Sequence, residues 1–262
     1  MKSLLMALVT TIMLPGMVVA ADTDALIDRS SKAVLLLYSQ NAEGGMTMHC
    51  TATTFDKSTS SAGYLLVSAA HCLGNDDTTK ERAATGKNVP FFVTFDETAQ
   101  IKKFYPVTVQ WVGYQHRGED FAVLEVHTDE TWVTVPLGDE KTLKDGAPII
   151  NIASPLGLGK QVFRGSITNL FIDRPIVQGD INWRGAMFLD IPAGGGSSGS
   201  ALISEKQEAI VGFLVGTVGG DNNVVGIPVS RFKAVNEAVL AGKYKWYVPD
   251  DAAVNPDGSP VK

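Results

Sequence analysis

Three short segments of this 262-residue chain carry the side chains that nucleophilic acyl transfer requires. Ser68-Ala69-Ala70-His71-Cys72 supplies an imidazole, Glu119-Asp120-Phe121-Ala122-Val123-Leu124 a carboxylate, and Gly196-Ser197-Ser198-Gly199-Ser200 a hydroxyl among glycines. A serine hydroxyl is a weak nucleophile until a neighbouring base takes its proton, and a buried carboxylate holds that base in the working tautomer. Each segment alone has an ordinary explanation. A lone histidine is usually structural, an aspartate before a strand is a common turn residue, and a Gly/Ser run can be a flexible linker. Together, in the order His, Asp, Ser, and each in a strand or turn context, they point to a base, its orienting acid and a nucleophile. His116 and His127 flank the second segment without a motif of their own and read as surface residues.

His71 ends an apolar stretch and adjoins Cys72. The chain has two cysteines, Cys50 and Cys72. A bridge between them would close a loop of about twenty residues, contribute about 3 kcal/mol, and pin the backbone beside the base. The glycines before Ser198 permit a tight turn that aims backbone N–H groups at a developing oxyanion, with Gly196 and Ser198 as the donors. No metal or organic cofactor is implied, because the two cysteines and His71 lack the paired spacing of a metal site. Gly195-Gly196-Ser197-Ser198-Gly199 also fits the G-x-S-x-G elbow of α/β-hydrolases, with Ser197 as nucleophile. That fold needs a histidine after the serine, and the last histidine here is His127, so this parse fails.

Such residues need a rigid β scaffold, and the chain reads that way. Strands are expected at 33–38, 51–55, 63–68, 89–95, 107–112, 121–126, 147–152, 160–172, 186–190, 201–203, 209–215 and 224–228, separated by Gly, Asp, Asn and Pro turns. Lys233–Leu240 is a helix, with Phe232, Val235, Ala238 and Val239 on one face, while 21–32 is a short helix or a loose arm. Residues 1–20 read as a secretory leader: Lys2, an apolar stretch from Leu4 to Leu14, then Val18-Val19-Ala20 before a cut at Ala21. The apolar stretch is short for a membrane span of about 20 residues, and no later run is long enough. The 246–262 tail, rich in Pro, Asp and Gly from Pro249 onward, reads as disordered. Loss of Lys2 with the leader takes the net charge from −6 to about −7, leaving no basic stripe for a nucleic acid. The mature protein is expected to be periplasmic or secreted and free of the membrane, which suits a disulfide.

The chain resembles chymotrypsin-fold serine peptidases, and most closely their bacterial Deg/HtrA-like branch. Beyond the three segments, the resemblance rests on Asn151–Gly159 with its Pro155-Leu156-Gly157-Leu158-Gly159 turn, on Phe163-Arg164-Gly165-Ser166-Ile167, on Asp190, and on Gly226-Ile227-Pro228-Val229-Ser230. It spans about Ala33 to Leu240. It implies an all-β fold of two six-stranded barrels with a C-terminal helix, the first at 21–135 with His71 and Asp120, the second at 136–245 with Ser198. It also implies an endopeptidase acting on proteins or peptides through an acyl-enzyme.

The departures limit what carries over. Only 18 residues follow Tyr244, too few for the PDZ domain of that branch, and Asn41–Met48 is short for its regulatory loop. Trimer assembly is therefore not carried over, and a monomer is the favoured state. Ser197 replaces the aspartate that captures a freed amino terminus in trypsin-like zymogens, so no second activating cleavage is expected. By resemblance the pocket for the residue before the cut bond involves Asp190, Pro192, Phe213, Leu214, Val215 and Gly226. Pro192 stands where a trypsin-like pocket has aspartate, and no histidine follows His127, so a small or medium aliphatic residue is expected there. The rival reading is a protease-fold binding protein left incompetent by its run of three glycines, Gly194 to Gly196.

Overall fold

The computed structural model describes residues 22–41, 43–58, 62–74, 91–95, 103–113, 118–172, 177–178, 181–183, 185–218 and 223–240. The leader, the tail and His116 lie outside them. The first barrel is formed by β1 (Val34–Gln40), β2 (Met46–Lys57), β3 (Gly63–Ser68), β4 (Phe91–Thr94), β5 (Tyr105–Val112) and β6 (Ala122–His127), in the closed order β1-β2-β3-β6-β5-β4. The second comprises β7 (Pro148–Ala153), β8 (Gln161–Asn169), β11 (Met187–Asp190), β12 (Ala201–Ser204), β13 (Ala209–Thr217) and β14 (Val224–Pro228). Read round from β7, its order is β7-β8-β11-β14-β13-β12, the same sequence of neighbours as in the first barrel. A two-stranded ribbon, β9 (Val177–Gln178) with β10 (Ile181–Asn182), is inserted between β8 and β11. All pairings between these strands are antiparallel, and closure leaves no barrel edge to pair with another chain. The expected architecture of two six-stranded barrels and a C-terminal helix is the one observed.

Several strands, β3, β12 and β14 among them, are buried along their whole length. Val34-Leu35-Leu36-Leu37 in β1 and Ala122-Val123-Leu124 in β6 are unbroken buried apolar runs. β6 pairs with β3, where Leu66 lies opposite Leu124 and Ser68 opposite Ala122. Between the barrels sits Phe232 of the last helix, α2 (Val229–Leu240), with ring centroids 5.0 Å from Phe55, 5.5 Å from Phe121 and 5.0 Å from Phe213. Phe55 and Phe121 belong to the first barrel and its approach, Phe213 to the second.

Several boundaries differ from the sequence expectation, for identifiable reasons. β2 begins at Met46 rather than Thr51, because residues 46–49 alternate between half-buried and exposed and carry no apolar run. β8 stops at Asn169 rather than at residue 172, where the Asn169 side chain accepts a hydrogen bond from Phe171 N and turns the chain. α2 begins at Val229 rather than Lys233. The Glu140 carboxylate, far away in sequence, accepts from Ser230 N at 3.1 Å and caps its first turn. The short strands β9 and β10 were not expected at all. The stretch read as a helix or arm contains α1 (Thr23–Ser31), capped by Asp22 and held to the second barrel by Thr23–Glu205 and Arg29–Glu208 pairs. Val135 N bonds Thr54 O of the first barrel and Ile210 N of the second bonds Pro136 O. Among the described residues no helix is long and apolar enough to cross a membrane.

Candidate active site

His71 lies in a single 3-10 turn, Ala70–Leu73, directly after β3, and Asp120 directly precedes β6, the neighbour of β3. Adjacent strands thus deliver the imidazole and the carboxylate to the same end of the first barrel. Asp120 accepts twice from one residue: its Oδ1 from the His71 backbone N–H at 2.9 Å, and its Oδ2 pairs with His71 Nδ1 at 2.8 Å. The carboxylate is 1 % exposed and the imidazole 24 %, so the acid is dry while the ring still reaches solvent. With Nδ1 engaged by a carboxylate, the favoured tautomer carries the proton on Nδ1 and leaves the Nε2 lone pair as an acceptor.

Two further contacts hold this pair. Cys50 and Cys72 are joined in a disulfide with Cα atoms 6.1 Å apart, tying the turn that carries His71 to β2. The side-chain atoms of Cys50, His71 and Cys72 fall within 4.8 Å of one another, but both sulfurs are bonded to each other and offer no thiolate to a metal. On the acid side, Arg231 at the start of α2 donates from Nη1 to Gly118 O at 2.9 Å, two residues before Asp120. Burial pulls the Arg231 guanidinium below its ordinary value, while the charge of Glu119 acts the other way. Nothing in the sequence around Arg231 marks this contact.

The glycine loop arrives from the second barrel. Ser197 is fully buried and turns back into its own loop, where its hydroxyl accepts from Gly194 N at 3.3 Å and its N–H donates to Gly194 O at 2.9 Å. Ser198, next to it, is only half-buried. Gly196 and Gly199 have φ of +95° and +83°, a region that favours glycine. A Cβ on Gly199 would lie 2.5 Å from Ala69 N and Thr51 O, so only glycine lets this loop approach the strand end that leads to His71. Thr51 N donates to Ser198 O at 3.0 Å, joining the loop to β2 one residue after the disulfide. Among the described residues neither Gly196 N nor Ser198 N donates a hydrogen bond within the protein, and no hydrogen bond joins Ser198 Oγ to His71. In unliganded sites the latter contact is often long and tightens when substrate binds.

The residues expected to surround a bound side chain divide into two groups. Asp190 and Pro192 are exposed at the rim. Phe213, Leu214 and Val215 are all core: Phe213 packs on Phe232, and Leu214 belongs to the second-barrel cluster with Met187, Leu189 and Leu202. A Cβ on Gly226 would meet Leu202 Cδ1 at 2.6 Å, so that glycine makes room for packing inside the barrel. An apolar run in a buried strand does not by itself tell a pocket wall from a core, so the role of these residues toward a bound side chain stays an expectation. Ala193, Gly216 and Thr217 are the partly exposed members of the same segments.

Residues 50–213 match the family model of the trypsin-like peptidase domain, and the chain belongs to that family. A search of curated proteins finds no match to the sequence. Among solved structures the chain is similar to that titled Deg5, at 17% identity and a TM-score of 0.61, covering 84% of this chain and 95% of that one. It is also similar to the HtrA-type protease AlgW with decapeptide, at 15% identity and a TM-score of 0.60, covering 82% of this chain and 66% of the other. At such identities the likeness is one of fold.

Proposed function

We propose that this peptidase is an exported serine endopeptidase in which Ser198 is the nucleophile, His71 the general base and acid, and Asp120 the residue that orients it. The observation that carries the reading is the double acceptance by buried Asp120 from His71, beside a glycine loop in which Ser198 is half-buried while Ser197 is fully buried. Ser198 Oγ attacks the peptide carbonyl as His71 Nε2 takes its proton. The oxyanion is received by Gly196 N and Ser198 N, and His71 then protonates the leaving amine. Water activated by the same imidazole releases the acyl group. Export is supported by the leader-like residues 1–20 and the Cys50–Cys72 bridge, which reducing compartments disfavour.

The cut is proposed to follow a small or medium aliphatic residue. Pro192 gives no charge to hold Lys or Arg, and the partly exposed Ala193, Gly216 and Thr217 offer a small neutral wall. Discrimination should be loose, since one methylene is worth about 1–3 kcal/mol. Active enzyme is expected without trimming at a second site, because the Ser197 hydroxyl is engaged with Gly194 and offers no carboxylate to a terminal amine.

Hydrolysis of a mixed peptide library tests the reading. Wild-type protein should cleave after Val, Ile, Ala, Leu or Met, Ser198→Ala should abolish cleavage, and Ser197→Ala should retain it. Sharp selection for Arg, Lys or Glu would contradict the pocket. Near-normal turnover by Ser198→Ala would contradict the mechanism, and an inert wild type would favour a binding protein built on a peptidase fold.

A further inference from the structure

We infer that the Thr51 hydroxyl is the positioning group that holds the glycine loop in oxyanion-binding shape, a role that rests on the serine-peptidase reading above. Thr51 is fully buried in β2, one residue past Cys50. Its Oγ1 donates to Gly196 O at 2.8 Å and accepts from Ser154 N at 3.1 Å. Its backbone N–H donates to Ser198 O at 3.0 Å, and its carbonyl accepts from Ser68 Oγ at 2.8 Å. One residue therefore touches the loop at two points, the turn after β7, and the strand that ends at His71.

The loop needs such a hold. Three consecutive glycines have little intrinsic preference for one shape, and a Cβ on Gly195 would find nothing within 4 Å, so no packing confines that residue. What fixes the loop is the orientation of its peptide planes. In a trans peptide the C=O of one residue and the N–H of the next point in opposite directions, so anchoring a carbonyl aims the following N–H. Gly195 O accepts from Leu156 N at 2.6 Å, which turns the Gly196 N–H away from the 154–158 turn. Gly196 O is held by Thr51, which turns the Ser197 N–H toward Gly194 O.

Leu156 presents its N–H from φ +55°, an unusual conformation for a side chain so large, and its side chain is 74 % exposed. The turn that imposes this conformation is tied down by the Ser154 N–H to Thr51 Oγ1. The same hydroxyl thus anchors one loop carbonyl directly and steadies the donor of the other. Closeness leaves no alternative packing: a Cβ on Gly196 would sit 2.6 Å from Ser154 O. A β-branched threonine in a strand has few rotamers, which suits a hydroxyl that must both give and receive.

Thr51→Val keeps the shape and deletes the hydroxyl, while Thr51→Ser keeps the hydroxyl and deletes a methyl. Steady-state hydrolysis of a peptide substrate and inhibition by a peptide aldehyde, which forms a tetrahedral adduct, are the readouts. Thr51→Val should lower kcat about 10- to 100-fold with little change in KM, somewhat less than outright loss of an oxyanion donor. It should weaken aldehyde inhibition in parallel and leave the shape of the pH–rate profile unaltered. Thr51→Ser should recover most of the turnover. Should Thr51→Val fail to fold, Thr51→Ala against Thr51→Ser makes the same comparison. Equal losses with and without the hydroxyl, or a change confined to KM, would overturn the inference. Failure of wild-type Ser198 to take a fluorophosphonate label would instead overturn the peptidase reading on which it rests.

Discussion

An aspartate that accepts both the backbone N–H and the ring N–H of one histidine leaves that ring little freedom. Asp120 does this from an almost fully buried position, so the imidazole is held in place by two hydrogen bonds. Asp120→Asn keeps the size but places an amide N–H where an acceptor is needed, which favours the wrong tautomer of His71. The expected result is a kcat about 10⁴-fold lower in a folded protein, checked by steady-state kinetics beside circular dichroism. A loss below tenfold would show that Asp120 does not orient the base. His71, Asp120 and Ser198 were singled out as candidates from the sequence because each is the centre of a local pattern of apolar or glycine neighbours. Thr51 and Arg231 were not, because their partners lie far off in sequence, at Gly196 and Ser154 for the one and at Gly118 for the other.

At the scale of elements, the site is a set of chain ends brought together by strand pairing. β3 and β6 run side by side, so the turn after one and the approach to the other meet, and the disulfide fastens that turn to β2. Replacing both Cys50 and Cys72 by Ala should cost about 3 kcal/mol of stability, measured by urea unfolding, for the 22 residues separating the two cysteines. It should also lower turnover, because the turn that bears His71 loses its anchor. Unchanged stability and rate would remove the bridge from the account. Strand existence was readable from runs such as Leu35-Leu36-Leu37, but strand ends were not. The end of β8 depends on an Asn169 turn, and the start of α2 on the Glu140 carboxylate.

The whole molecule is two barrels of identical strand order with one helix closing the seam between them. The seam matters because His71 and Asp120 belong to one barrel and Ser198 to the other. Phe232 bridges it, touching Phe55, Phe121 and Phe213, and Phe121 adjoins Asp120. Phe232→Ala should destabilise by about 3–5 kcal/mol, read by denaturant unfolding, and should lower activity in the protein that remains folded. A loss below 1 kcal/mol would mean the barrels meet without it. The architecture was legible through the resemblance of the motifs to chymotrypsin-fold peptidases, whereas the short strands alone allowed a sandwich or a barrel. The substrate pocket was not, since Phe213, Leu214 and Val215 are as apolar in a core as they would be in a pocket wall.

The central claim is that Ser198 is an activated nucleophile, and covalent labelling reports on it most directly. A fluorophosphonate should react with the native protein and leave its phosphonyl group on the peptide containing Ser197 and Ser198, assigned to Ser198 by fragmentation in the mass spectrometer. Ser198→Ala, His71→Ala and heat-unfolded protein should remain unlabelled, since activation needs the assembled site. An adduct on Ser197, or no adduct on well-folded wild-type protein, would contradict the account.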